Sequence, residues 1–160
     1  MKSALSFALA VVIALGAFQG PSRAEDVLFT IRLTGSDTTF PVTQDLLRKV
    51  GMHSYKAILP GGEGVPQMVR GPLMRDLLAA SGFSGTKVWA KALDGYQMDV
   101  PMDELQHVDV LAVTEVDGER LTVRDRGPAW LVYPTVDRPD LRDPIHEARS
   151  VWQIKELLVE

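Results

Sequence analysis

The sequence predicts an α+β fold: one mixed-sheet domain carrying two or three short helices. Three observations predict it. Short stretches with an apolar residue at every second position recur along the chain, helical spacing is confined to a few brief segments, and Asp-Gly pairs fall between strands at hairpin distance. No internal repeat, low-complexity segment or long linker interrupts the 160 residues.

Residues 1–24 read as a leader. Lys2 gives a positive start, Ala4 to Ala17 is apolar, and Ser22-Arg23-Ala24 puts small residues where a signal peptidase reads. The apolar run is shorter than the ~20 residues that span a bilayer. Cleavage before Glu25 and export to the periplasm are therefore expected, with residues 25–160 as the domain. Lys2 and Arg23 would leave with the leader, making the remainder more acidic than the formal −4 of the whole chain. That balance disfavours nucleic acid as a partner. The chain has no cysteine, which excludes disulfides, thiolate nucleophiles, iron–sulfur clusters and cysteine-held metals.

Along the domain, Asp26 to Leu33 alternates with Val27, Phe29, Ile31 and Leu33 on one face, a half-buried strand. Phe40 to Thr43 leads into a helix over Gln44 to Val50, with Thr43 as its N-cap and Gly51 closing it. Tyr55 to Leu59 reads as a strand, and Gln67 to Arg70 as its return. The intervening Pro60-Gly-Gly-Glu-Gly64 lacks the Lys-Ser/Thr ending of a phosphate loop and reads as a turn. The clearest helix follows Gly71-Pro72, with Leu73, Met74, Leu77, Leu78 and Phe83 on one face, Pro72 in the first position and Gly82 as the cap.

Thr86 to Leu93 and Gln97 to Pro101 form a hairpin through Asp94-Gly95-Tyr96, and Pro101 to Leu105 gives one or two helical turns. Val108 to Val116 and Arg120 to Val123 pair around Asp117-Gly118. Leu121 to Pro134 then reads as an alternating strand, a corner at Gly127-Pro128 and a second apolar strand. Pro128 has no N–H and Gly127 accepts positive φ, so pairing stops and backbone groups are freed. Arg126 offers a planar fork of donors for a carboxylate, a phosphate or a heterocycle edge, and Trp130 a flat apolar face. The alternative is a solvated Arg126 and a Trp130 in the core. Thr135 to Arg149 reads as a polar loop, and alternation of Trp152 and Ile154 marks a last strand.

Other chemistries find little in the chain. His53, His107 and His146 are far apart and lack the spacing of a zinc site, and no Gly-x-Ser-x-Gly elbow occurs. Asp103-Glu104 reads as a solvent-facing pair.

The order Arg70-Gly-Pro-Leu-x-x-Asp76-Leu-Leu, Ala92-Leu-Asp94-Gly-Tyr96, Val100-Pro101, Asp117-Gly118-Glu, Arg126-Gly-Pro128, Pro134 and Val151-Trp152-x-Ile154 resembles the molybdopterin-binding domain of the sulfite oxidase family. The resemblance runs from about Leu33 to Val159. It implies a mixed α+β fold around a pterin-based molybdenum cofactor, with a cysteine ligand expected near Tyr55 to Leu59, where this chain has none. A small exported domain without that cysteine is similar to periplasmic pterin-binding regulators of membrane-bound cyclic-di-GMP turnover. That likeness implies a reduced, metal-free pterin as ligand and the periplasmic domain of a membrane signalling protein as partner. The alternatives are a molybdopterin-dependent oxidoreductase with another metal ligand, and an exported interaction domain that has lost its small ligand.

A pterin is flat, with a 2-amino and N3–H edge that suits a carboxylate and a 4-oxo group that suits an arginine. Trp130 and Trp152 are then the stacking candidates, Arg126 and Arg149 the donors, Asp94 the acceptor, and Tyr96 lies near it. Arg70 either binds as well or braces the helix after it. Each has a structural alternative: Asp94 as a turn residue, Trp152 and Trp89 as core, Arg149 as solvated.

Overall fold

A computed structural model describes residues 26–160, and the leader expected at residues 1–24 lies outside them. The first strands, β1 (Val27–Leu33) and β2 (Thr39–Thr43), pair antiparallel. Phe40 to Thr43 thus forms a strand where only a lead-in was expected. Pro41 is tolerated because β2 is a sheet edge, where a missing N–H breaks no ladder. Helix α1 (Gln44–Val50) begins and ends as expected, with Thr43 Oγ1 accepting the Leu46 N–H at 3.2 Å. Strands β3 (His53–Ile58) and β4 (Pro66–Gly71) form a hairpin.

Helix α2 (Met74–Ser81) buries Met74, Leu77 and Leu78 and is capped by Gly82. Its N-cap is Leu73, so Pro72 lies before the helix and not in its first position. Strands β5 (Lys87–Ala92) and β6 (Gln97–Pro101) make the expected hairpin, and α3 (Met102–His107) follows. The single strand expected at Val108 to Val116 is broken into β7 (Leu111–Val113) and β8 (Glu115–Val116). β9 (Glu119–Arg120) pairs with β8 around Asp117 and Gly118, whose φ values of 50° and 85° are those of a type I′ turn. The remaining elements are β10 (Trp130–Val132), α4 (Pro144–Arg149) and β11 (Ile154–Val159).

Two expectations need correction here. Arg120 to Val123 and the alternation from Leu121 do not continue as a strand: Val123–Asp125 is a 3-10 turn, closed by Thr122 Oγ1 donating to Asp125 Oδ2 at 2.6 Å. The polar stretch Thr135 to Arg149 is not all loop, because Asp143 accepts the Ile145 and His146 N–H groups and starts α4 with Pro144 in its first turn.

The strands form three sheets within the expected mixed α+β domain. The largest has the order β2-β1-β11-β5-β6, in which only β1 and β11 run parallel; β3-β4-β8-β9 is antiparallel, and β10 pairs with β7. Among the described residues the helices number four. The main core gathers Phe29, Ile31, Val88, Ala90, Ile154 and Leu157 of the five-stranded sheet with Leu47, Leu77 and Leu105 of the helices. A second core joins Ala57, Leu59 and Val69 to Leu111, Val113, Trp130 and Val132. The two meet where β4 passes β7 so closely that a Cβ on Gly71 would stand 2.2 Å from the Ala112 carbonyl oxygen, a contact only glycine permits. Trp130 belongs to the second core, and it is from there that the next feature is built.

Candidate functional site

Four segments far apart in sequence enclose a cleft of about 460 Å³. The β5–β6 turn contributes Asp94 and Tyr96, α4 contributes Pro144, Glu147 and Ala148, the turn after β3 contributes Pro60 and Gly61, and Arg126 and Trp152 form the remaining wall. The lining is mostly apolar with one guanidinium and two carboxylates, the usual make-up of a small-molecule site.

Arg126 is held from both ends. Its carbonyl accepts the Gln153 N–H at 2.9 Å and its Nη1 donates to the Pro60 carbonyl at 3.0 Å. Arg126 and Gln153 have φ values of 69° and 52°. Left-handed backbone at residues other than glycine costs on the order of 1–3 kcal/mol each and persists where the surroundings over-determine it, as at ligand clamps. Gly127 makes the tight corner feasible, since a Cβ there would stand 2.6 Å from the Leu121 carbonyl oxygen.

The guanidinium carbon of Arg126 lies 4.7 Å from the Trp130 ring centre and 5.4 Å from that of Trp152. The two indoles meet edge to face, 6.0 Å apart at 83°. Trp130 is only 2% exposed and donates Nε1–H to the Ser150 carbonyl at 2.9 Å. It backs the site and offers no open face to the cleft. Trp152, 40% exposed, lies outside β11 and lines the cleft.

Asp94 plays the turn part as well as lining the cleft: its Oδ1 accepts the Tyr96 N–H at 2.9 Å. The Tyr96 hydroxyl donates to the Ala148 carbonyl at 3.0 Å, a single bond linking the hairpin tip to α4. Ser150, also in the lining, commits its hydroxyl proton to the His146 carbonyl at 2.9 Å. The cleft thus brings one guanidinium, Arg126, together with the carboxylates of Asp94 and Glu147.

Arg149 and Arg70 line no part of this cleft. Arg149 Nη1 donates to Glu104 Oε2 at 2.6 Å and Nε to the Asp99 carbonyl at 3.2 Å, bracing α4 against α3 and β6. Glu104, expected to face solvent, is largely buried: its other oxygen accepts the Tyr133 hydroxyl at 2.5 Å. Burial, reinforced by that carboxylate, pushes the Tyr133 hydroxyl far above its ordinary range. Arg70 lies on Glu115 at 2.9 Å in the four-stranded sheet, and Trp89 is a half-buried strand residue whose Nε1–H goes to Glu160.

Glu147, Pro60 and Gly61 are site residues that the sequence reading did not single out. The signal for Glu147 was present, because Asp143-Pro144 is an N-cap followed by a proline suited to a first turn, which puts Glu147 on a helix.

A thiolate-held metal does not fit these residues. The chain has no cysteine, and Tyr55 to Leu59, where the family's ligand is expected, offers buried apolar Ala57 and Leu59 beside the cleft wall at Pro60. A flat heterocycle does fit: Trp152 supplies a face, Arg126 donors, and Asp94 and Glu147 acceptors for an amino edge.

No family model and no curated protein matches the chain. The crystal structure of the sulfane dehydrogenase SoxCD from Paracoccus pantotrophus is similar in fold, with a TM-score of 0.64 and 18% identity over 84% of this chain and 38% of that one. The chain thus spans well under half the length of that protein. What the likeness shows is the fold, a mixed α+β architecture shared with that protein.

Proposed function

We propose that the cleft binds a reduced, metal-free pterin and that the protein is a periplasmic, non-catalytic regulatory module, reporting occupancy to the periplasmic domain of a membrane signalling protein. The carrying observation is the exposed indole of Trp152, with the Arg126 guanidinium 5.4 Å from its ring centre, in one cleft with Asp94 and Glu147. Stacking on one such face contributes about 1 kcal/mol beyond area burial, and the charged hydrogen bonds fix the ring's orientation. The partner, its link to cyclic-di-GMP turnover and the export rest on the sequence resemblance and the leader.

The coupling in this reading is linkage: a ring seated between the β5–β6 tip and α4 holds these segments together, and the partner favours the held or the loose state. The test is mass spectrometry of small molecules released from the native protein, with elemental analysis for molybdenum. A pterin without molybdenum supports the reading. Pterin with stoichiometric molybdenum would instead make the protein an oxidoreductase with a non-thiolate ligand, and no retained or added pterin binding would end the proposal.

A further inference from the structure

Among the described residues, α1, α2 and α3 bury side chains against one face of the five-stranded sheet, where Leu47, Leu77 and Leu105 join Phe29, Ile31 and Leu157 in the main core. The residues that alternate with these along the strands form the opposite face and are all part-exposed. Strand register sets this outer face out in rows. The middle row runs Arg32, Leu158, Trp89, Asp99 across β1, β11, β5 and β6. On one side of it Glu156 of β11 lies 2.9 Å from Lys91 of β5, and on the other Glu160 lies 3.3 Å from Lys87.

All three rows change sign at one line, the gap between β11 and β5. The acids of the flanking rows lie on its β11 side and the bases on its β5 side, and the middle row has a cation at one end and an anion at the other. Rotation by half a turn about that line lays a second copy face to face on the first, with β5 over β11. Acid then falls on base in both flanking rows, Leu158 falls on Trp89, and Arg32 falls on Asp99. The Asp99 carboxylate makes no ion pair among the described residues, only its backbone carbonyl being engaged, by Arg149. A self-complementary patch of this kind is what an isologous contact requires.

We propose that the outer face of the five-stranded sheet joins two copies of this chain about that axis, sheet on sheet. Five strands about 4.8 Å apart and about six residues long give a face of roughly 24 by 20 Å. That is about 1,000 Å² over two copies, the lower end for a specific contact, so the dissociation constant falls in the micromolar range. Because the axis runs along the strands, both β5–β6 turns, and both clefts with them, lie at the same end of the pair. The contact does not depend on what the cleft binds.

The experiment is sedimentation equilibrium of the protein from about 1 to 100 µM, a range that brackets such a constant. The parent should pass from monomer to dimer, and added salt should weaken the association. Arg32→Asp and Asp99→Arg each set like charges face to face twice in a two-fold pair, so each variant alone should associate at least about tenfold more weakly. An equimolar mixture of the two restores both contacts between copies and should associate like the parent. Arg32→Asp also loses the bond to Glu156 within its own chain, which mixing does not restore, so recovery in the mixture reports the contact between copies alone. Trp89→Ser removes the central apolar contact and gives a second reading if a charge-swapped variant does not fold. A parent that is monomeric at about 100 µM overturns the dimer and leaves the face to another occupant. Association that survives in the folded variants, or a mixture no tighter than its components, overturns this axis.

Discussion

Trp152 and Trp130 are neighbours with opposite duties, and substitution should separate them. Trp152→Ala removes a side chain from a residue that is 40% exposed, so pterin affinity should fall about tenfold while the melting temperature barely moves. Trp130→Ala empties a site that is 2% exposed and orphans the Ser150 carbonyl. It should cost about 3–5 kcal/mol in denaturant unfolding. Equal stability losses in the two variants would contradict this division. Glu156 gives a pH signature: Arg32 and Lys91 hold its carboxylate below the ordinary value of 4.5. Because the folded value lies below the unfolded one, this stabilisation is complete above pH 4.5 and is lost as pH falls through the folded value. Glu156→Gln should therefore flatten the acid limb of a stability–pH curve. At this scale the sequence disclosed residue types better than partners. Arg126 and Asp94 could be singled out because each sits in a Gly-marked corner or turn, whereas Arg149 meets Glu104, and Arg70 meets Glu115, 45 positions away, and no local pattern encodes such a pairing.

Helix α4 shows how one short element serves two tasks. One side of it lines the cleft through Pro144, Glu147 and Ala148, while Arg149 ties the other to Glu104 on α3. Both partners of that pair are mostly buried, with side chains 16% and 13% exposed. Removing one charge strands the other, so Arg149→Met should destabilise by about 3–5 kcal/mol and weaken ligand binding although Arg149 touches no ligand. Urea titration with ligand titration checks both parts; unchanged binding in a folded variant would uncouple α4 from the site. Elements with strong local signals were legible: α1 from Thr43 and its apolar spacing, the β5–β6 hairpin from Asp94-Gly95. Those fixed by context were not. α4 is a six-residue helix amid prolines, β2 contains Pro41 that only an edge position excuses, and the Leu121 alternation was overruled by the Thr122–Asp125 bond.

For the molecule as a whole, binding and stability are joined by mass action. A ligand that binds only the folded domain should raise its stability by about 2.7 kcal/mol at a hundred times its dissociation constant. A melting temperature indifferent to saturating pterin would argue that the cleft does not take it. The fold class was legible because alternation, hairpin turns and a few short helices jointly define α+β. The division into three sheets was not, since strand partners such as β1 with β11 and β7 with β10 are distant in sequence and no local pattern encodes them. One feature of the largest sheet governs when the domain can exist at all. β11, the last of the described strands in chain order, lies at the centre between β1 and β5. Everything upstream is made before the sheet has its middle, so β1 and β5 cannot join until β11 arrives between them. The five-stranded sheet thus depends on pairings between strands distant in sequence, which slow folding relative to local contacts. Pulse-labelled amide exchange during refolding should accordingly show Ile31, Ala90 and Leu157 becoming protected together.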